Sequence, residues 1–169
     1  MISVNEPRIG QRESEYVMDC LRTGWISSAG HYIEQFENDW AAYCGRRYGI
    51  SVSNGTVALQ TAVACLELKP GDEVIIPTFT IISCAMAVLY SGGRPVLVDC
   101  DPRTWCMNVD QVRDKISKRT RAIMPVHIYC QPGDMDSILD VAGRGGLCVI
   151  EDAAEVHGAE YTTGRETPH

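Results

Sequence analysis

The sequence has no long apolar run, no polybasic stretch and no CxxC cysteine pair, and each absence argues against a class of protein. A membrane-spanning helix needs about 20 consecutive apolar residues, and no run here approaches that length. Acidic residues (22) outnumber basic ones (15) and the two signs are interspersed, so neither a nucleic-acid partner nor a membrane partner is expected. The first residues show no secretory signal, which favours a cytoplasmic location.

The eight cysteines and the histidines do not form a recognisable metal or disulfide pattern. Most of the cysteines fall inside apolar runs, which is typical of buried free thiols in a protein that is not secreted. His127 and His157 lie near predicted strand ends, but they are not spaced as a helical or zinc-finger pair, so no metal site is predicted. The GxSxG, Walker A and GxGxxG motifs are also missing.

The pattern of apolar residues predicts one α/β domain whose core draws on a 45% hydrophobic composition. Two amphipathic helices come first, and short β-branched strands then alternate with helices. The predicted helices cover 8–23, 31–44, 55–68, 80–91, 108–117 and 134–143, and the predicted strands cover 48–53, 73–77, 95–99, 121–127 and 147–152. Strands that are buried on both faces and separated by helices indicate a mostly parallel sheet with helices on both faces.

Three segments with chemical potential follow predicted strands, where open parallel sheets bind their ligands. Ser53-Asn54-Gly55-Thr56 precedes a helix, whose free N–H groups and dipole favour a phosphate, although these residues are also good helix caps. Phe79 could stack on a planar ring or pack in the core. Asp152 closes an apolar strand and needs a cationic partner, which could be a pyridinium nitrogen, an arginine or a metal.

Seven segments, in order and spacing, resemble the DegT family of sugar-nucleotide aminotransferases, which are fold-type-I enzymes dependent on pyridoxal 5'-phosphate (PLP). They extend over nearly the whole chain and read NEPRIG, LRTGWISSAGHYIEQFE, SNGTVAL, GDEVIIPTFTIIS, PVLVDCDP, AIMPVHIYCQP and VIEDAAEVHGAEY. The sequence is most similar to the GDP-perosamine synthase-like members. These aminate a 4-keto-6-deoxy sugar nucleotide with glutamate as the donor, so the resemblance implies both compounds as partners.

The resemblance implies a role for five residues. Gly55 and Thr56 would hold the PLP phosphate, Phe79 would stack on the ring, and Asp152 would pair with the ring nitrogen. Glu155 matches a position that contacts the ring hydroxyl in the family. A carboxylate beside the pyridine nitrogen keeps that nitrogen protonated, which makes the ring a better electron sink.

The resemblance also implies that the chain is one part of the family's architecture. The lysine that forms the Schiff base lies beyond the GAEY segment in the family, and Lys69, Lys115 and Lys118 do not match its position. We therefore expect residues 1–169 to be the N-terminal part of an incomplete fold-type-I large domain, without its C-terminal strands, lysine segment and small domain. On this prediction no catalytic residue is assigned, and the chain alone is expected to be inactive.

Two other functions remain open at this stage. The chain could be a non-catalytic binding or assembly module that pairs with another chain through an exposed sheet edge or through residues 25–44. The family works as dimers, so a homo-oligomer or pairing with a missing half is expected. The third possibility is an unrelated nucleotide-binding α/β domain.

Overall fold

The computed structural model describes residues 6–159, which fall into two compact units divided between residues 51 and 52. The first unit contains helices α1 (Gln11–Thr23) and α2 (His31–Tyr43), which confirms the two predicted amphipathic helices. Helix α1 ends at Gly24, whose φ of 77° is the left-handed conformation that glycine adopts most readily. An apolar groove of about 400 Å³ lies between these helices, and its lining includes Tyr16, Leu21 and Phe36.

The second unit is a parallel sheet with helices on both faces, as predicted. Its strands are β1 (Glu73–Pro77), β2 (Arg94–Val98), β3 (Thr120–Ile123) and β4 (Cys148–Val149), in the order β2-β1-β3-β4. Its helices are α3 (Gly55–Ala64), α4 (Ser83–Tyr90), α5 (Val109–Lys115) and α6 (Met135–Gly145). None of the helices found in residues 6–159 is both long and apolar enough to cross a membrane.

Two apolar clusters cover the two faces of the sheet. Val74 and Ile76 of β1 pack with residues of α3 and α4, including Val63 and Val88. Ile75, which points to the opposite face because side chains alternate along a strand, packs with residues of α5 and α6. Every residue of β1 is buried, so the central strand fixes the positions of its neighbours and of the loops at its carboxyl end.

The predicted strand at 48–53 is wrong for the described part of the chain, where these residues form no strand. The N–H of Ser51 donates to the Glu37 side chain at 2.7 Å instead of to a neighbouring strand. Strands β3 and β4 are also shorter than predicted, since Pro125 has no N–H with which to continue the ladder. Beyond it, a single parallel bridge between Val126 and Asp152 carries Asp152 to the carboxyl edge of the sheet.

The amino edge of the sheet holds a buried carboxylate in a set of polar bonds. Glu73, whose side chain is 2% exposed, accepts hydrogen bonds from Arg119 at 2.8 Å and from the Ser117 hydroxyl at 2.7 Å, and it also pairs with Arg94. Burial alone would raise the pKa of Glu73, but the bonds from Ser117, Arg94 and Arg119 outweigh burial and lower it to about 2. This cluster therefore stabilises the edge opposite to the candidate site.

Candidate functional site

The start of α3 has open space beside Gly55. The first N–H groups of a helix have no acceptor within that helix, and the Asn54 side chain takes the one of Val57 at 3.0 Å. A Cβ added at Gly55 would meet no protein atom within 4 Å, so a ligand can approach the backbone closely here. Asn54 is thus the helix cap, as the sequence interpretation allowed. That Gly55 and Thr56 hold a phosphate stays a prediction.

The first two residues of α4 contact both predicted cofactor anchors. The hydroxyl of Thr56 lies 2.8 Å from that of Ser83. The thiol of the next residue, Cys84, lies 3.6 Å from Oδ2 of Asp152. Residues from α3 and from the end of the β4 segment are thereby brought to one region at the carboxyl edge of the sheet.

Asp152 is a partly buried carboxylate that neutral groups hold in place. Its N–H donates to the carbonyl of Pro125 at 2.9 Å, and its Oδ1 accepts the N–H of Ala154 at 3.2 Å. No salt bridge formed within residues 6–159 includes Asp152, so the described chain offers it no arginine partner. A carboxylate that is fixed in position and has no cation fits a protonated pyridine nitrogen.

Phe79 belongs to an aromatic cluster and is not a fully buried core residue. It is half-buried, and its ring centroid lies 5.4 Å from that of Trp105 and 6.3 Å from that of Tyr129. The sequence interpretation missed both neighbours, which the chain reaches with positive φ angles of 63° and 47°. The sequence held one signal for the position of Trp105, because an aspartate such as Asp101 is typical of a turn. In the structure, the Asp101 carboxylate accepts the N–H groups of Arg103 and Thr104 in a tight turn just before Trp105.

Glu155 orders the backbone of the loop that carries Tyr129. Its Oε2 accepts the N–H of Tyr129 at 2.7 Å, and its side chain is exposed at the same edge of the sheet as Asp152. The structure thus gives Glu155 a partner within the protein. Its contact with a cofactor hydroxyl stays a prediction.

A buried histidine, to which the sequence interpretation gave no role, is hydrogen-bonded to the segment that follows Tyr129. His127 is 2% exposed, and its Nδ1 accepts the N–H of Gly133 at 2.9 Å. Its Nε2 must then carry the proton and donate it to Glu151 at 2.7 Å. His127 also donates its backbone N–H to the carbonyl of Asp152 at 3.1 Å, so it packs behind the site and supports its geometry.

Two of the three lysines lie near the end of the sheet that is opposite to Asp152. Lys69 precedes β1 and Lys118 precedes β3, which places both near the amino ends of strands, opposite the edge that holds Asp152. Lys115 donates to the carbonyl of Leu97 at 2.5 Å.

Replacing Cys130 by glycine is expected to stabilise the protein by about 0.5–1 kcal/mol, because this exposed residue has a φ of 63°. A side chain in the left-handed region costs about 1–2 kcal/mol, which glycine does not incur. Part of this gain in stability is lost because glycine has greater freedom in the unfolded chain. Denaturant unfolding measures the change. The same substitution at Cys65, which is exposed with a φ of −64°, should destabilise instead. Equal effects at the two positions would contradict the backbone argument.

Comparison with known families and structures agrees with this geometry. The model of the DegT/DnrJ/EryC1/StrS aminotransferase family matches residues 7–167. A GDP-perosamine synthase of Caulobacter vibrioides is 51% identical over 95% of this chain and 43% of its own length. One from Escherichia coli O157:H7 is 46% identical over 95% of this chain and 44% of its own. The chain thus spans less than half the length of these curated relatives.

Solved structures give the same fold and identify a cofactor class. DesV of S. venezuelae, solved with a ketimine intermediate, is 38% identical with a TM-score of 0.83, over 91% of this chain and 42% of its own. NtdA of Bacillus subtilis, solved with bound pyridoxamine 5'-phosphate (PMP), is 40% identical with a TM-score of 0.79, over 86% and 34%. The implied cofactor is thereby confirmed for the family, which depends on PLP.

Proposed function

The chain belongs to the DegT/DnrJ/EryC1/StrS aminotransferase family, and we propose that it forms the cofactor-holding part of a sugar-nucleotide aminotransferase. The proposed reaction transfers an amino group, with glutamate as the donor, to a 4-keto-6-deoxy sugar nucleotide. The similarity to the GDP-perosamine synthases supports this substrate class.

One observation carries the proposal, namely the state of Asp152. Its carboxylate is partly buried, neutral donors hold it, and no ion pair within residues 6–159 neutralises it. Such a group is costly unless a cation completes the site. Asp152 lies at the carboxyl edge of a parallel sheet, where ligands of this architecture bind. The start of α4 contacts both Asp152, through Cys84, and Thr56, through Ser83.

Each proposed residue has a separate task. The N–H groups at the start of α3 and the Thr56 hydroxyl bind the phosphate, and Phe79 covers one face of the ring. In this proposal Asp152 holds the ring nitrogen protonated, and Glu155 contacts the ring hydroxyl. When bound, PLP supplies the electron-withdrawing ring that eases proton removal from the amine-bearing carbon.

We extend the proposal to assembly as a homo-oligomer or with a second chain. Support comes from β4, which pairs with β3 alone among the described strands and therefore leaves its other edge open. Unpaired strand edges favour association with another chain.

The proposal is tested by binding of PMP, which requires no covalent bond to a lysine. Fluorescence titration of the purified chain should show saturable binding, and Thr56→Val should weaken it about tenfold at nearly constant side-chain shape. The lost hydroxyl bond is one to a charged phosphate, which is stronger than a bond between neutral groups.

Thr61→Val provides the matched control. Thr61 is exposed on the same helix, and its hydroxyl donates to the backbone carbonyl of Val57 at 2.8 Å. The affinity of the Thr61→Val variant for PMP should equal that of the unmodified chain. Failure of the unmodified chain to bind PMP, or equal losses in the two variants, would contradict the proposed site.

A further inference from the structure

The start of α4 lies between the two anchors that the proposed function requires. We propose that the consecutive residues Ser83 and Cys84 are positioning residues that set the separation and orientation of Thr56 and Asp152 for the cofactor. This inference rests on the proposed function. It concerns groups that touch the anchors and not the cofactor itself.

Ser83 directs the hydroxyl of Thr56. It is 8% exposed, and its Oγ lies 2.8 Å from Oγ1 of Thr56. Each hydroxyl has one proton to donate and can accept two hydrogen bonds. When Ser83 donates to Thr56, the proton of Thr56 remains available for a phosphate oxygen. The role that we propose for Ser83 is this donation, which leaves the proton of Thr56 for an anion.

Cys84 directs the carboxylate of Asp152. Its side chain is fully buried, with Sγ at 3.2 Å from Oγ1 of Thr80 and 3.6 Å from Oδ2 of Asp152. An ionised carboxylate can only accept, so the S–H donates to Asp152 and the hydroxyl of Thr80 donates to the sulfur. Burial raises the pKa of Cys84 to about 11, against the opposing bond from Thr80, and the Asp152 charge adds to the rise. The thiol is therefore protonated at neutral pH and able to donate.

The carboxylate is held at both of its oxygens. Oδ2 faces the thiol of Cys84, and Oδ1 accepts the N–H of Ala154 at 3.2 Å. Each oxygen keeps accepting capacity for the N–H of a pyridinium ring. Because Ser83 and Cys84 are consecutive residues of α4, both anchors are bonded to the same helical turn.

Double-mutant cycles on PMP affinity test this role against a merely structural one. Cys84→Ala should weaken binding roughly three- to tenfold, and the same change made in an Asp152→Asn background should alter it by less than about twofold. Cys84→Ser, which keeps a donor, should recover part of the loss. In the same way, Ser83→Ala should weaken PMP binding in the unmodified chain but have little effect in a Thr56→Val background. A cavity that simply loosens the fold would weaken binding equally in both backgrounds.

Cys106→Ala is the matched control, since Cys106 is also buried, and its thiol donates to the backbone carbonyl of Gln131 at 3.2 Å. Cys106→Ala should lower the free energy of unfolding, but Asp152→Asn should weaken PMP binding by the same factor with and without it. Additive losses for Cys84 and Asp152 would overturn the proposal while leaving PMP binding, and thus the proposed function, intact.

Infrared spectroscopy provides a readout without cofactor. The S–H stretch assigned to Cys84 by difference against Cys84→Ala should lie at the low frequency of a hydrogen-bonded thiol and should rise in Asp152→Asn. A stretch that does not respond to Asp152→Asn would overturn the proposal whatever the binding data show. If the unmodified chain does not bind PMP, both the proposed function and this inference fail.

Discussion

Asp152→Asn is expected to weaken PMP binding by about 10–100-fold at pH 7, the loss typical of a bond to a charged group. Asparagine keeps the size of the side chain, and its single carbonyl oxygen can still accept the N–H of Ala154, so the local fold should persist. It cannot supply the negative charge that favours a protonated ring nitrogen. Fluorescence titration measures the loss, and the ¹⁵N chemical shift of ring-labelled PMP reports the proton directly.

Asp99→Asn is the control for this prediction, because Asp99 directly follows β2, the strand at the other end of the sheet order from β4, and its side chain is exposed. It should leave both the affinity and the ¹⁵N shift unchanged. A ring nitrogen that stays protonated in Asp152→Asn would show that another group holds the proton and would remove the assigned role of Asp152.

The sequence could place Asp152 because the determinants of its position are local. The alternation of apolar strands with helices predicts a parallel sheet, and a carboxylate that closes one strand must then lie at the carboxyl edge. The same argument places Phe79 after β1, whereas the strand that it assumed before α3 does not form. Each of these inferences needs only the pattern within one element and the rule for the architecture.

Contacts between distant positions escaped the sequence interpretation. Cys84 and Asp152 are 68 positions apart, and His127 and Glu151 are 24 apart, so no local pattern pairs them. Cys84 falls in an apolar segment and is first interpreted as a buried free thiol, and His127 is given no role. The predicted strand at 48–53 shows the opposite error, since a favourable local pattern forms no strand without a pairing partner.

Glu73→Gln is expected to lower the free energy of unfolding at pH 7 by about 1–3 kcal/mol, because a buried acceptor loses its charge while Arg94 and Arg119 keep theirs. The arginines are 61% and 63% exposed, so water screens them and limits the loss. Urea unfolding of both proteins measures the difference. Glu67→Gln, at an exposed carboxylate, should change stability by less than about 0.5 kcal/mol.

The pH dependence of that difference identifies its origin. The pKa of Glu73 falls from an ordinary 4.5 to about 2 on folding, so its charge stabilises the fold fully above about pH 4.5. That contribution is lost as the pH falls towards 2, where the carboxyl becomes protonated in the folded state as well. The two proteins should therefore converge in stability between about pH 4.5 and 2, whereas a packing defect in Glu73→Gln would keep them equally far apart at every pH.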